Sequence, residues 1–292
     1  MQSTIGRVIR DARTWVTLLA LAAAVGAANL SVTHPAEANA TALTATGTID
    51  VSATASANAK SQLKAMSDYM AAQKAFSFDY DANLEVVTKE NQKLGLASSG
   101  TLAVNRPDKI RATRMGGFAN IEVVFDGKTV SMLGKNANVY AQAAAPGTID
   151  QLVDVLRDKY HRPIPGADLL MSNIYDQLMP EVTDAKDLGS GVIGGVECDH
   201  LAFRTKDVDW QIWVAQGDRP YPCRYEITST QVSRAPAYSL DLRSFKTDAV
   251  APATFAFQAP TSARKLNPGE LKDFDELPAI FSLTKTQPIG GQ

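Results

Sequence analysis

Cysteine and histidine are scarce: two and three, respectively, among 292 residues. So few soft or imidazole ligands leave little from which to build a transition-metal centre. An excess of either charge is also missing. The 29 basic and 31 acidic side chains give a net −2, with 21% charged residues in all, which removes the electrostatic footprint of a nucleic-acid binder. No GxSxG, SxxK or P-loop pattern occurs. The acidic residues are scattered over polar strand faces, and none pair as glycosidase chemistry requires. What remains is 45% hydrophobic residues in a length suited to one large domain or two small ones.

The N-terminus reads as an address rather than as structure. Arg7, Arg10 and Arg13 precede the apolar run WVTLLALAAAVGAA (15–28), which is too short for a membrane span of about 20 residues. The small-residue sites AEA and ANA follow at 36–40. This order is that of a secretory signal peptide over 1–40, cleaved near Ala40. No cysteine follows the run to accept a lipid. Cleavage leaves 26 basic and 29 acidic residues, a net −3. The Ala/Thr/Ser-rich stretch 41–58 reads as a flexible lead with too little apolar surface to offset its ordering entropy.

From Lys60, Leu63, Met66 and Met70 recur at helical spacing. The period then changes to two. Phe76, Phe78, Tyr80, Ala82, Leu84 and Val86 share one face of a long half-buried strand, opposite Ser77, Asp79, Asp81, Asn83 and Glu85. Strands with the same rhythm are expected at 94–104, 109–115, 120–125, 128–133 and 138–142, with Asp126-Gly127 forming a hairpin turn. Two helices are expected to interrupt the meander. The first, at 148–160, opens with Thr148 and Gln151 in capping-box spacing. The second, at 166–179, carries the stripe Leu169, Leu170, Ile174 and Leu178. Strands resume at 182–190, 195–204, 208–216, 222–232, 237–246 and 253–258. A short helix capped by Asn267 and burying Leu271, Phe274 and Leu277 follows, then a frayed tail over 283–292. No interior linker divides the body, so 59–282 is read as one domain. The fold class is mainly β (α+β), a curled antiparallel sheet or unclosed half-barrel with helices covering the concave face.

Chemistry-bearing residues are few. Gly189, Gly191 and Gly194 have GxGxxG spacing, but a strand follows where a dinucleotide loop needs a helix, so a glycine-rich turn is expected. Cys198 and His200 share a strand face about 6.5–7 Å apart, too far for a nucleophile and base; a hydrolase using them is the least favoured function. Export and the even count favour a Cys198–Cys223 disulfide. Register opposes it, placing both cysteines beside Ala215 on either side of one strand, about 9.5–10 Å apart against a ~7 Å limit. Both readings stand. His161 reads as solvated or capping, and neither it nor His200 has zinc-motif spacing. Trp210 belongs in the core with Ile212, while Trp213 falls on the less apolar face and needs a cover.

SGTLAVNRPDKIRATR (99–114), VFDGKTVSML (124–133) and NVYAQ (138–142) resemble the LolA-like periplasmic lipoprotein-carrier superfamily. Arg106-Pro107, Lys109, Arg111 and Asp126-Gly127-Lys128 carry the pattern. Residues 160–246, with GGVECDHLAFR, DVDWQIWV and CRYEITS, look like an uncharacterised family of predicted periplasmic proteins sharing that fold. The resemblance implies an unclosed barrel, lidded by helices, that carries lipid or lipoprotein acyl chains in the periplasm without cofactor, and it makes Arg106 a lid latch. The carriers' aromatic-rich strand after Arg-Pro is here Ile110-Arg111-Ala112.

The apolar faces independently suit an aliphatic ligand. Lining candidates are Phe78, Tyr80, Leu84, Leu102, Val104, Val123, Phe125, Leu152, Leu156, Leu170 and Ile174, with ordinary core packing as the competing reading for each. The expected activity is non-catalytic binding of a lipid or acylated protein, with no nucleic-acid or metal partner. The alternative is an envelope sensor or protein-interaction module of the same fold.

Overall fold

The computed structural model describes residues 51–268 except 89, 118, 159–163 and 165. The expected signal segment, His161, the helix burying Leu271, Phe274 and Leu277, and the tail lie outside the described residues.

Helix α1 (Val51–Ala72) begins earlier than Lys60, so residues 51–58 of the expected lead belong to it. Its first turns are rich in alanine, the best helix former. Ala59 is fully buried and extends the stripe Leu63, Met66 and Met70 by one step. Small side chains thus continue a helix that larger ones anchor.

Two antiparallel meanders follow. The first comprises β1 (Ala75–Val87), β2 (Lys93–Asn105), β3 (Lys109–Gly116), β4 (Asn120–Phe125), β5 (Thr129–Gly134) and β6 (Val139–Ala144). The second comprises β7 (Asp184–Ile193), β8 (Val196–Arg204), β9 (Val208–Ala215), β10 (Pro222–Ser229) and β11 (Ala237–Lys246). Pairing of β1 with β11 fuses them into one sheet. A short β12 (Arg264–Lys265) adds in parallel to β6, giving the order β12-β6-β5-β4-β3-β2-β1-β11-β10-β9-β8-β7. The ends of this order do not pair, so the sheet is an unclosed, mainly β half-barrel with helices against one face.

The turns follow local chemistry. Gly127 takes φ 87°, while the Asp126 carboxylate accepts from the Lys128 and Thr129 amides. The GxGxxG stretch is a strand running into a two-residue hairpin, with Gly194 and Gly195 at φ 59° and 85°, the positive values such a turn requires.

Between the meanders lie α2 (Ile149–Asp158), a 3-10 turn (Ala167–Leu170) and α3 (Ile174–Leu178). The Thr148–Gln151 capping box is formed in both directions. The single helix expected at 166–179 is broken in two. Gly166 is left-handed and Met171 extended, and Ser172 is drawn out to the Asp150 carboxylate, to which its amide and hydroxyl both donate. The strand expected at 253–258 is instead a 3-10 turn, Pro252–Phe255, because proline cannot donate to a ladder. Its Phe255 is buried as part of a strap across the outer face of β3 to β6. Arg111 Nη1 donates to the Thr254 carbonyl at 3.0 Å, and the Tyr140 and Phe257 rings stand 5.8 Å apart.

Alternation places Phe76, Phe78, Leu102, Val104, Ile110, Phe125, Val130, Leu201, Phe203, Trp210, Ile212, Tyr225, Leu240 and Leu242 in one core with α1, α2 and α3. Near its end β11 departs from strict alternation. Ser244 has φ 55°, and the β1–β11 register shifts between Ser77 and Asp79. The bulge turns Phe245 inward, where it stacks on Tyr221 at 4.4 Å and meets Phe76 and Phe78 at 6.0 and 6.5 Å.

Candidate functional site

The helix-covered face of the first meander is built from registered pairs. Phe78 faces Leu102, which faces Ala112, which faces Val123. The next row runs Phe76, Val104, Ile110, Phe125 and Val130. Above these rows, α2 presents Ile149 and Leu152, the 3-10 turn Leu169, and α3 Ile174 and Leu178, all buried. Val153 of α2 packs instead on Ala167 and Met171, tying the lid to itself.

The eleven lining candidates therefore lie on one side of the sheet or on the lid above it. Phe78, Leu102, Val104, Phe125, Leu152 and Ile174 are buried in the common core. Tyr80, Val123, Leu156 and Leu170 are half-buried against it. Leu84 is half-buried and belongs to no core cluster among the described residues. Two cavities of about 200 and 260 Å³ lie away from the lid. The first is bordered by Ser77, Asp79, Arg111 and Lys246, the second by Ser52, Ser56, Lys60 and Asp184.

Polar ties hold the lid. Arg106 follows β2 and sends Nη2 to the Met171 carbonyl at 3.3 Å, with its guanidinium 5.6 Å over the Phe76 ring. Its Nε is buried without a hydrogen-bond partner. Burial lowers the pKa of this guanidinium, and the Asp150 charge opposes that shift. Asp150 holds Ser172, and the Tyr175 amide donates to Ser67 Oγ on α1 at 3.0 Å.

Toward β2's N-terminal end the same face loosens. Leu94, Leu96 and Ser98 are half-buried. Here sit Arg114 and Tyr238, which apolar alternation alone does not single out. Their parity with Ile110–Ala112 and Leu240–Leu242 is the available signal. Tyr80 lies across Gly100 and donates to the Thr113 carbonyl at 2.8 Å. Burial raises the pKa of both phenols, Tyr238 the more, while the Arg114 charge opposes the shift in each.

Cys198 and Cys223 are free and buried with Ala215. Cys198 is opposite Ala215 as expected. A bulge between Pro222 and Arg224, however, brings the two thiols into one buried cluster. Burial pushes both thiols up, Cys223 well beyond the thiol range. His200 is occupied elsewhere, hydrogen-bonded to Gln211 at 2.8 Å and stacked on Trp213 at 4.1 Å. Cys198 instead donates to the Val196 carbonyl at 3.4 Å. The two are not arranged as nucleophile and base. Trp213 gains its cover from His200 on one side and Arg224, 5.4 Å from its ring, on the other. Trp210 is in the core, stacked on Phe203.

Among the described residues no group of three His, Cys, Asp or Glu could hold a metal ion, and no helix is long and apolar enough to cross a membrane.

Several solved structures are similar to the chain. An uncharacterized conserved protein from Thermus thermophilus has 11% identity over 72% of this chain and 99% of its own, with a TM-score of 0.43. The Mycobacterium tuberculosis lipoprotein LppX has 13% identity over 67% and 98%, with 0.44. A LolA superfamily protein from Nitrosomonas europaea has 10% identity over 68% and 97%, with 0.34. No curated protein sequence matches. A family model does match, over residues 59–267, and the chain belongs to that family, described as Predicted periplasmic protein (DUF2092).

Proposed function

We propose that this protein is a non-catalytic periplasmic binding protein for a lipid or the acyl chains of a lipoprotein, exported by a signal peptide cleaved near Ala40. The observation that carries the reading is an unclosed sheet whose apolar face lies under a separate helical lid and continues past it as half-exposed surface.

Energetics suit a long chain. Lifting Ile149, Leu152, Leu169, Ile174 and Leu178 off the sheet exposes five buried side chains, at roughly 1.5–3 kcal/mol each. An acyl chain of about sixteen carbons taking their place recovers about 0.8 kcal/mol per methylene, on the order of 12 kcal/mol. The two quantities are alike in size, so a long chain offsets lid opening and a short one does not. Native mass spectrometry of protein isolated from envelope extracts is expected to show a bound lipid mass. Protein that stays ligand-free there and binds no added acyl probe overturns the reading.

A second reading, docking of an envelope protein, is favoured by β7. This strand ends the sheet order and exposes Leu188 and Val192 at 49% and 65%, and such an edge accepts an added strand. A single stoichiometric protein partner in a pull-down, without lipid, supports it.

A further inference from the structure

We propose that Arg114 is the head-group site of this cleft, pairing with the carboxylate or phosphate of an anionic lipid whose acyl chain lies along the lidded face. The inference rests on the lipid-binding reading and specifies its ligand class.

Arg114 follows Ile110 and Ala112 on the lidded side of β3, in register with Gly100 of β2 and Ile121 of β4. On this side β1 carries Phe76, Phe78, Tyr80, Ala82, Leu84 and Val86, and β2 carries Leu94, Leu96, Ser98, Gly100, Leu102 and Val104. The contributions of β4 to β6 are aliphatic, aromatic or glycine. Among the described strand residues, Arg114 is the one charged group on that face of the first meander, and no carboxylate shares the surface with it.

The other arginines of the long strands β1 to β11 are neutralised. Arg111 pairs with Glu122 at 2.7 Å, Arg204 with Asp209 at 2.6 Å, Arg224 with Asp241 at 3.5 Å and Arg243 with Asp81 at 2.9 Å. The Arg114 side chain has no hydrogen bond or ion pair among the described residues. Its charge acts on the phenols of Tyr80 and Tyr238 on the same face. A half-buried cation on an apolar face is costly without a counter-charge, and its planar donors suit carboxylate and phosphate oxygens.

Position completes the argument. Arg114 stands where the core row Phe78–Leu102–Ala112 meets the half-exposed stretch Leu96–Ser98. An amphiphile with its head at Arg114 would run its tail toward the lid and leave the head near water.

The test compares two ligands with the same chain length, palmitate and hexadecanol, displacing a fluorescent acyl probe from the full chain and from the Arg114→Gln and Arg114→Lys variants. Palmitate is expected to bind the parent protein more tightly than hexadecanol. Arg114→Gln should weaken palmitate about tenfold, equivalent to about 1.4 kcal/mol, and leave hexadecanol unchanged, while Arg114→Lys retains part of the preference. Because the guanidinium has no partner among the described residues, Arg114→Gln should not lower the melting temperature. Equal weakening of both ligands, or of neither, overturns the head-group assignment while the lipid-binding reading stands. Displacement by inorganic phosphate alone, without dependence on the acyl chain, overturns the lipid source. A parent protein that binds neither ligand overturns both readings.

Discussion

The ring of Tyr80 fills the space that a side chain at Gly100 would need: a Cβ there would stand 2.6 Å from Tyr80 Cζ and would also strike the Thr113 carbonyl. The glycine is opposite Tyr80 in the β1–β2 register, so the phenol crosses a whole strand to reach β3. Gly100→Ala is expected to destabilise the fold by about 1–3 kcal/mol through overpacking. Tyr80→Phe keeps the ring, loses the bond to Thr113, and should cost about 1 kcal/mol. Urea denaturation of both variants checks the order.

Arg106 ties the lid by one hydrogen bond and leaves Nε unsatisfied. Arg106→Met keeps apolar contact with Phe76 and removes the tie together with a desolvated charge. Amide exchange across 171–178 is expected to accelerate several-fold, while global stability changes by less than about 1 kcal/mol. Hydrogen exchange read by mass spectrometry separates the two effects. Unchanged exchange in the lid would remove Arg106 from the latch role.

Much of this architecture is legible in the sequence because it is local. Alternation from Phe76 to Val86, the Asp126-Gly127 turn and the Thr148–Gln151 box each involve neighbours in the chain. The failures share a different cause. The helix expected at 166–179 breaks because Asp150, on another element, captures Ser172. Phe245 turns inward because of an irregularity in its pairing with β1. The thiols meet because β10 bulges against β9. For the candidate site, periodicity identifies the face of each lining residue, but depth depends on which strands the lid covers. Arg114 is visible by parity, yet a pattern built on apolar residues gives a lone arginine no weight.

Ser244 adopts φ 55° without being glycine, a conformation costing L-residues about 1 kcal/mol. Ser244→Gly is expected to stabilise by about 0.5–1 kcal/mol, and Ser244→Val to destabilise by more than that. Thermal melts of the two variants, moving in opposite directions, test the bulge.

Both cysteines hold their protons more tightly when folded, because burial disfavours the thiolate. Unfolded thiols ionise near pH ~8.5, so above that pH the unfolded chain binds fewer protons than the folded one and stability falls as pH rises. The raised phenols of Tyr80, Tyr225 and Tyr238 steepen the fall above about pH 10. Denaturation midpoints of the reduced protein should decline from about pH 8 to 10.5, and Cys198→Ala/Cys223→Ala should flatten the first part. Iodoacetamide at about pH 8 is expected to leave both thiols unmodified until denaturant is added.

The seam between β1 and β11 joins residues such as Asp81 and Asp241, far apart in the order of synthesis. A ribosome delivers β1 through β10 and the whole lid before the strand that completes β1 emerges. Until then β1 has an open edge, and the two meanders are not joined into one sheet. The last long strand therefore acts as the closing stitch, and a chain ending before Ala237 would present a ready template for pairing with another copy.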